Sequence, residues 1–359
     1  MKFLVAALSF FLITFSAAAK TITLTIEIPD EIQTQDNTAQ FNVVYNQYVE
    51  KWLVYFVTKD REYFGKRLEE SSKYSGVMKK IFSDYGLPQE LIYIAMIESG
   101  FNPLAYSPAH AVGTWQFMKG TGKIFGLSSD NWSDERRDVE KSTNAAAKML
   151  KSLYAEFGSW PLAIAAYNCG NPRIKKAIKE QGTRNFFELS LPNETMLFVP
   201  KVMAAILIAK DPQAFGFELN PKPALEFDTI TVNGCVNLVM IAKCCEVDKE
   251  EIVSLNPHLT FQCTPDQKEE YEIKIPVGTK EKFLNNFNNL SDKEKYVSKE
   301  EIARMKGGWV VYSVKKGDTL GSIAKKYRTT VQAVLKWNPK ARGKYIQPSD
   351  KLKIFKSGL

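Results

Sequence analysis

At 359 residues, with 45% apolar and 12% aromatic content, the chain can bury a substantial core and is long enough for two or three domains, which excludes a disordered protein. Its formal net charge of +8 is spread along the sequence rather than gathered in a basic arm, so nothing in it reads as a nucleic-acid module. Spread positive charge fits solubility, or a polyanionic partner outside the cytoplasm.

The chain opens on "MKFLVAALSFFLITFSAAA", with Lys2, an apolar run from Phe3 to Phe15 and a small-residue end at Ala17-Ala18-Ala19. That is the pattern of a secretory leader, residues 1–19, cut before Lys20. An uncleaved anchor is the rival reading, and the run is short against the roughly 20 residues a membrane span needs. No cysteine follows the run before Cys169, so a lipid-bearing N-terminal cysteine has nothing to attach to.

From Phe41 to Lys210 apolar positions recur every three or four residues, as in "VVYNQYVEKWLVYFV" and "TNAAAKMLKSLYAEF", which predicts helices throughout. Residues 20–210 therefore read as one helical domain with an N-terminal helical extension. A Pro-containing passage, 211–226, reads as a linker. Beyond it the chain repeats itself. "ITVNGCVNLVMIAKCCEVDKEEIVSLNP" and "YSVKKGDTLGSIAKKYRTTVQAVLKWNP" align without a gap, placing Val232 on Val314, Ile241 on Ile323 and Asn256-Pro257 on Asn338-Pro339. Two copies of one small strand–helix–helix–strand module, 227–278 and 309–356, are the simplest account, with 279–308 as a charged spacer or exposed helix.

Five cysteines in an exported chain leave at least one unpaired within the monomer. Cys235, Cys244, Cys245 and Cys263 cluster, so a disulfide inside that group is expected, while zinc has no C-x-x-C or His-rich spacing to support it. No metal and no cofactor are expected. Cys169 stands alone and reads as a small buried residue.

One acid carries the argument about chemistry. In "LIYIAMIESGFNP", Glu98 follows a run of apolar residues and precedes Gly100 and Pro103. Pro88 can open a helix, on which Leu91, Ile94, Ala95 and Glu98 share a face. Burial and the negative end of the helix dipole both raise a carboxyl pKa, keeping the acid protonated and able to donate. The bland alternative is a carboxylate that pairs with a base at a helix end. No acid occurs from Ser99 through Ser129. A two-carboxylate glycosidase needs a partner about 5–9.5 Å from its acid, and Asp130 or Asp138 would have to fold in to supply it.

"GLPQELIYIAMIESGFNPLAYSPAHAVGTWQFMKGTG", "DERRDVEKSTNAAAKMLKSLYAEFGSWPLAIAAYNCG" and "LPNETMLFVPK", in this order, resemble the soluble-lytic-transglycosylase (SLT) catalytic domain. The arrangement resembles that of the membrane-bound lytic murein transglycosylase D type, and "VYSVKKGDTLGSIAKKYRTTVQAVLKWNP" resembles a LysM module. The resemblance implies a mainly α, lysozyme-like catalytic domain followed by two α+β (βααβ) LysM-type modules, the first degenerate. It implies a peptidoglycan substrate and Glu98 as the single catalytic acid and base, closing a 1,6-anhydro ring on the muramoyl sugar. Ser107 and Gln116 match positions that contact sugar, and Tyr167 and Asn168 match the motif beside the acid. Each also has a plainer reading, Ser107 as a turn residue, Gln116 as a surface amide and Tyr167 as core.

Two departures stand out. Phe198 replaces a tyrosine whose hydroxyl usually bonds the acid, with Tyr93 or Tyr106 as conceivable substitutes. His110 replaces a usual glycine and is expected to narrow the cleft. In the C-terminal module, Asp318, Thr319, Asn338 and Pro339 are candidate glycan contacts, against the plainer reading that they cap and stop helices. The partners implied are peptidoglycan strands, with peripheral membrane association and oligomeric state left open. The location implied is the periplasm, with outer-membrane or wall attachment also open. A hydrolase on the same fold and a catalytically decayed wall-binding protein remain as alternatives.

Overall fold

A computed structural model of the chain describes residues 9–17, 20–28, 41–266, 270–341 and 345–356. Much of the expected leader lies outside these residues. The rest falls in Ser9–Ala17 (β1), which pairs antiparallel with Lys20–Ile28 (β2). The chain divides into two compact units, residues 1–129 with 134–225 and residues 226–359 with 130–133.

The first unit is helical. Gln47–Thr58 (α1) opens on Asn46, whose side-chain oxygen accepts from the amides of Tyr48 and Val49 at 3.0 and 3.1 Å. It buries Val49, Leu53, Phe56 and Val57, the stripe a 3.6-residue period predicts. Arg61–Asp84 (α2) follows. Pro88 then starts a 3₁₀ turn, Gln89–Ile92, that runs into Tyr93–Ser99 (α3), and Gly100 ends the helix in the left-handed conformation at φ 63°.

Lys119–Ile124 (α4) is short. Val139–Phe157 (α5) is capped by Asp138 and stopped by Gly158. Trp160–Cys169 (α6), Asn171–Gln181 (α7) and Asn193–Lys210 (α8) complete the unit. Runs in α6 and α8, Leu162–Ala166 and Val202–Ile206, are buried on every side, so these two helices form the centre, with α1 and α3 against α8 and α5 and α7 against α6. The passage read as a linker is not free of this core. Phe215 and Phe217 are buried in it, and the Leu225 amide donates to the Lys73 carbonyl at 2.7 Å.

The second unit holds the repeat. Asp228–Val232 (β3) pairs antiparallel with Tyr271–Ile275 (β4), and between them lie Leu238–Cys245 (α9) and Lys249–Leu255 (α10). The expected spacer is mostly helical, as Lys280–Asn288 (α11), Asp292–Lys295 (α12) and Lys299–Lys306 (α13). Phe283 of α11 is buried in the first module's core. In the second module Gly308–Ser313 (β5) pairs with Lys351–Lys356 (β6) around Leu320–Lys326 (α14) and Val331–Trp337 (α15).

One side chain closes both modules in the same way. Asn256 donates to the carbonyls of Ile252 (2.9 Å) and Lys274 (2.7 Å) and accepts from the Lys274 amide (3.1 Å). Asn338 repeats this with Val334 (2.9 Å) and both backbone groups of Lys353 (2.8 Å each). The mainly α unit followed by two βααβ modules is the architecture the sequence predicts.

The expected disulfide is not formed, and all five cysteines are free thiols. Cys244 and Cys245 are neighbours on α9, both buried in the module core, while Cys235 and Cys263 lie in a separate small cluster with Met305. No described helix is long and apolar enough to cross a membrane, and no group of candidate metal ligands occurs among the described residues.

Candidate active site

The residues that position Glu98 are those that bury its helix. Leu91, Ile92, Ile94, Ala95 and Met96 are fully enclosed, which leaves Glu98, one residue from the end of α3, half-buried at the wall of a cleft of about 580 Å³. The cleft is also lined by Ser107, Gln116, Tyr167 and Asn168, so all five catalytic-domain residues singled out from the sequence come together. Burial, and after it the charge of Glu194, pushes the Glu98 carboxyl up to about 8. The acid therefore holds its proton at neutral pH.

Each neighbour has one bond spent on structure and polar capacity left for a ligand. Ser107 Oγ accepts from the Ala111 amide at 3.0 Å, which stitches the loop and leaves the hydroxyl proton for another acceptor. Gln116 sits at φ 50°, a left-handed conformation uncommon outside glycine, and its Nε2 donates to the Gly113 carbonyl at 2.8 Å. Its side-chain oxygen is turned free by that bond. The Tyr167 hydroxyl donates to the Trp115 carbonyl at 2.7 Å, and burial together with the Glu98 charge holds its pKa well above the ordinary value. Asn168 Oδ1 accepts from Thr195 Oγ1 at 2.8 Å, leaving its amide protons.

The loop carrying Ser107 and Gln116 is pinned from behind. Arg136 is buried, pairs with Asp134 at 2.7 Å, and donates to the carbonyls of Phe117 (3.1 Å) and His110 (3.3 Å). Gly113, at φ 84°, lies so close that a Cβ there would stand 1.9 Å from the Arg136 carbonyl oxygen.

The alternative of a distant carboxylate folding in from Asp130 or Asp138 is not realised, and other expectations need correction. Neither Asp130 nor Asp138 lines the cleft. Asp130 Oδ1 accepts from the amides of Trp132 and Ser133, and Asp138 caps α5. The second carboxylate in the cleft is Glu194, in the first turn of α8, which sequence reasoning passed over because an acid there also suits the positive end of a helix dipole. Its place in "LPNETMLF", among the motifs of the resemblance, was the available signal.

His110 does not narrow the cleft. It is exposed, is not among the lining residues, and its ring meets the Tyr106 hydroxyl. Its φ of 68° explains why a glycine is usual there. Phe198 is buried in α8, and neither proposed substitute supplies the missing hydroxyl, since that of Tyr106 is on His110 and that of Tyr93 meets Ser71.

In the C-terminal module, Asp318 Oδ2 accepts from the Lys315 amide (2.8 Å) and the Tyr312 hydroxyl (2.7 Å), bonds that in that order hold its carboxyl below the usual range. Thr319 caps α14 reciprocally with Ser322. Asn338 and Pro339 line a recess of about 600 Å³, which Asp318 and Thr319 do not reach.

Residues 77–190 match the family described as Transglycosylase SLT domain, 312–355 match the LysM domain, and 226–292 match the domain described as Lytic transglycosylase MltD, LysM-like domain. The chain is 30% identical over 283 residues to the membrane-bound lytic murein transglycosylase D of Escherichia coli K12, a match covering 75% of this chain and 60% of that protein. The soluble lytic murein transglycosylase of the same strain is 30% identical over 141 residues, 36% of this chain and 22% of that protein. The crystal structure of the soluble lytic transglycosylase SLT70 from Escherichia coli aligns with 24% identity and a TM-score of 0.37, covering 48% of this chain and 32% of that one. The SLT match takes in the helix of Glu98 and the loop and helix that carry Ser107, Gln116, Tyr167 and Asn168, the two LysM-type matches follow it in the chain, and the whole spans 60% of the length of the membrane-bound lytic murein transglycosylase D to which it is similar.

Proposed function

We propose that the chain is a peptidoglycan lytic transglycosylase, a carbon–oxygen lyase that cleaves the MurNAc-β-1,4-GlcNAc bond without water and leaves 1,6-anhydromuropeptides. The observation that carries the reading is Glu98, a carboxyl raised to about 8 in a cleft of a size to admit sugar rings. Protonated at neutral pH, it donates to the glycosidic oxygen as the bond to the muramoyl C1 breaks. As carboxylate it then accepts the proton of the C6 hydroxyl while that oxygen closes on C1. One acid switching to base suffices because the substrate supplies its own nucleophile. That Ser107, Gln116 and Asn168 line the same cleft with polar groups to spare supports a role for them in holding the N-acetyl and hydroxyl groups of the sugars.

The LysM modules fit a tether to the glycan, raising the effective concentration of the catalytic unit on the polymer. Unchanged pull-down by insoluble peptidoglycan after removal of residues 309–359 would count against that role. The leader pattern and the wall substrate together support a periplasmic location.

Glu194 favours a second reading, a hydrolase of the same bond in which that carboxylate activates water. Mass spectrometry of muropeptides released from purified sacculi separates the two. Products lighter by one water than reducing muropeptides, lost in Glu98→Gln, support the lyase. Reducing-end products lost in Glu194→Gln support the hydrolase.

A further inference from the structure

A second recess in the first unit, of about 220 Å³, lies where four helices converge. Trp52 and Tyr55 come from α1, Tyr63 and Arg67 from α2, Ile97 from α3 and Lys201 from α8. Apart from Ile97, all of these residues lie outside the 77–190 SLT match. Tyr55 and Tyr63 are 43% and 58% exposed, although large aromatic rings are usually covered. The cations lie on rings, Lys201 Nζ 4.3 Å from the centroid of Trp52 and the Arg67 guanidinium 4.0 Å from that of Tyr63. Aromatic rings beside cations are a surface against which a sugar can pack while the cations take its anionic group.

The charges in the recess do not balance. Two cations share it with one carboxylate, Asp60, which approaches Arg67 only to 4.0 Å. Asp60 precedes α2 but makes no side-chain cap to its backbone. The Arg67 Nε is enclosed without an acceptor, and a buried donor left unmade is costly. Burial and then the Arg67 charge hold Lys201 below the ordinary lysine range. An entering anion would relieve the repulsion between the two cations.

The recess and the cleft draw on the same two helices. Ile97 precedes Glu98 in α3, and Lys201, two turns beyond Glu194 on α8, feels the charge of both Asp60 and Glu194. Arg67 packs against the end of the catalytic helix, where a Cβ on Gly100 would meet its Cγ at 3.2 Å. All of these groups except Asp60 stand on helices, so the recess is preorganised.

We propose that this recess is a subsite for a carboxylated substituent of the glycan, with Arg67 and Lys201 taking the carboxylate and Trp52, Tyr55 and Tyr63 taking the attached chain or ring. It rests on the reading of the chain as a peptidoglycan-cleaving enzyme. A muramic acid residue offers a carboxylate from two sources, its own lactyl group once stripped of peptide, or the peptide stem when present.

The test uses the full chain and three soluble strand preparations of equal length: stem-bearing, stripped, and stripped then chemically amidated to neutrality. Lys201→Met is expected to raise KM about tenfold on carboxylated strands, the loss of one charge-assisted bond, with little change on amidated ones. Lys201→Arg, which keeps the charge, is expected to restore most of the affinity. An effect confined to stripped strands assigns the lactyl carboxylate, and one confined to stem-bearing strands assigns the peptide. Equal effects on charged and amidated strands, or none, would overturn the subsite. If the wild type releases no product from any strand, the enzyme reading fails. Binding of the same strands to the same variants then decides the recess alone, by the same comparison.

Discussion

Glu98 and Glu194 line one cleft, and the charge of the second adds to burial in raising the pKa of the first to about 8. The acid form is the donor, so cleavage is expected to hold through neutral pH and to fall as pH rises past about 8. Glu194→Gln removes one of the two causes. The alkaline limb of kcat/KM should then move to lower pH, by less than one unit because Glu194 is exposed and its charge is screened. A limb that stays in place would show that burial alone sets the proton affinity of Glu98.

The same raised pKa has a sign in stability. Below about 4.5, its ordinary value, Glu98 is protonated in both folded and unfolded chains and contributes nothing. Between there and about 8 the unfolded chain releases the proton while the folded one keeps it, so native stability declines with rising pH. Glu98→Gln removes that penalty. Thermal unfolding should show the variant more stable than wild type at pH 8, by about 2–4 °C for each kcal/mol recovered, and equal to it near pH 4. A variant less stable at both pH values would mean that the carboxyl makes native bonds that the amide cannot.

Much of this site was legible in the sequence, for identifiable reasons. The buried run before Glu98 announced a desolvated acid, and the helical spacing announced the helix that carries it. Glu194 was missed because its chain position serves a helix N-terminus equally well, and only folding brings α8 beside α3. The departure at His110 was misjudged for a related reason. A side chain's size is visible in sequence, whereas the positive φ that selects glycine is not. In the modules, an Asn before Pro reads as a helix stop, and its bonds to a strand eighteen or fifteen residues on become evident only in three dimensions.

Gly113→Ala tests the loop behind Ser107 and Gln116. The added methyl would stand 1.9 Å from the Arg136 carbonyl at a φ that L-residues rarely adopt. A loss on the order of 3 kcal/mol is expected, with the loop displaced from Arg136. Because a shift of about 1 Å at positioning residues can cost on the order of 100-fold, kcat/KM should fall even where the variant is folded. Retained activity with lowered stability would separate the loop's geometry from the chemistry.

Asn256→Ala and Asn338→Ala test the shared closure of the modules. Each variant removes the side-chain bonds to the amide and carbonyl of a strand residue, which costs about 2–3 kcal/mol. Hydrogen exchange should report opening of the module that carries the change while the other keeps its protection. If Asn338→Ala leaves exchange unchanged and yet abolishes binding to insoluble peptidoglycan, Asn338 acts as a glycan contact and not as a clamp.

The clamp also bears on how such a chain can vary. In each module a single amide joins the end of the second helix to the returning strand, while the turn into the first helix is built differently, on Asn237 in one and on Thr319 with Ser322 in the other. Closure and turn are thus separate parts. One repeated frame can keep its shape while its rim changes residue by residue, so a chain with two copies can retain one for grip and release the other to acquire a different ligand.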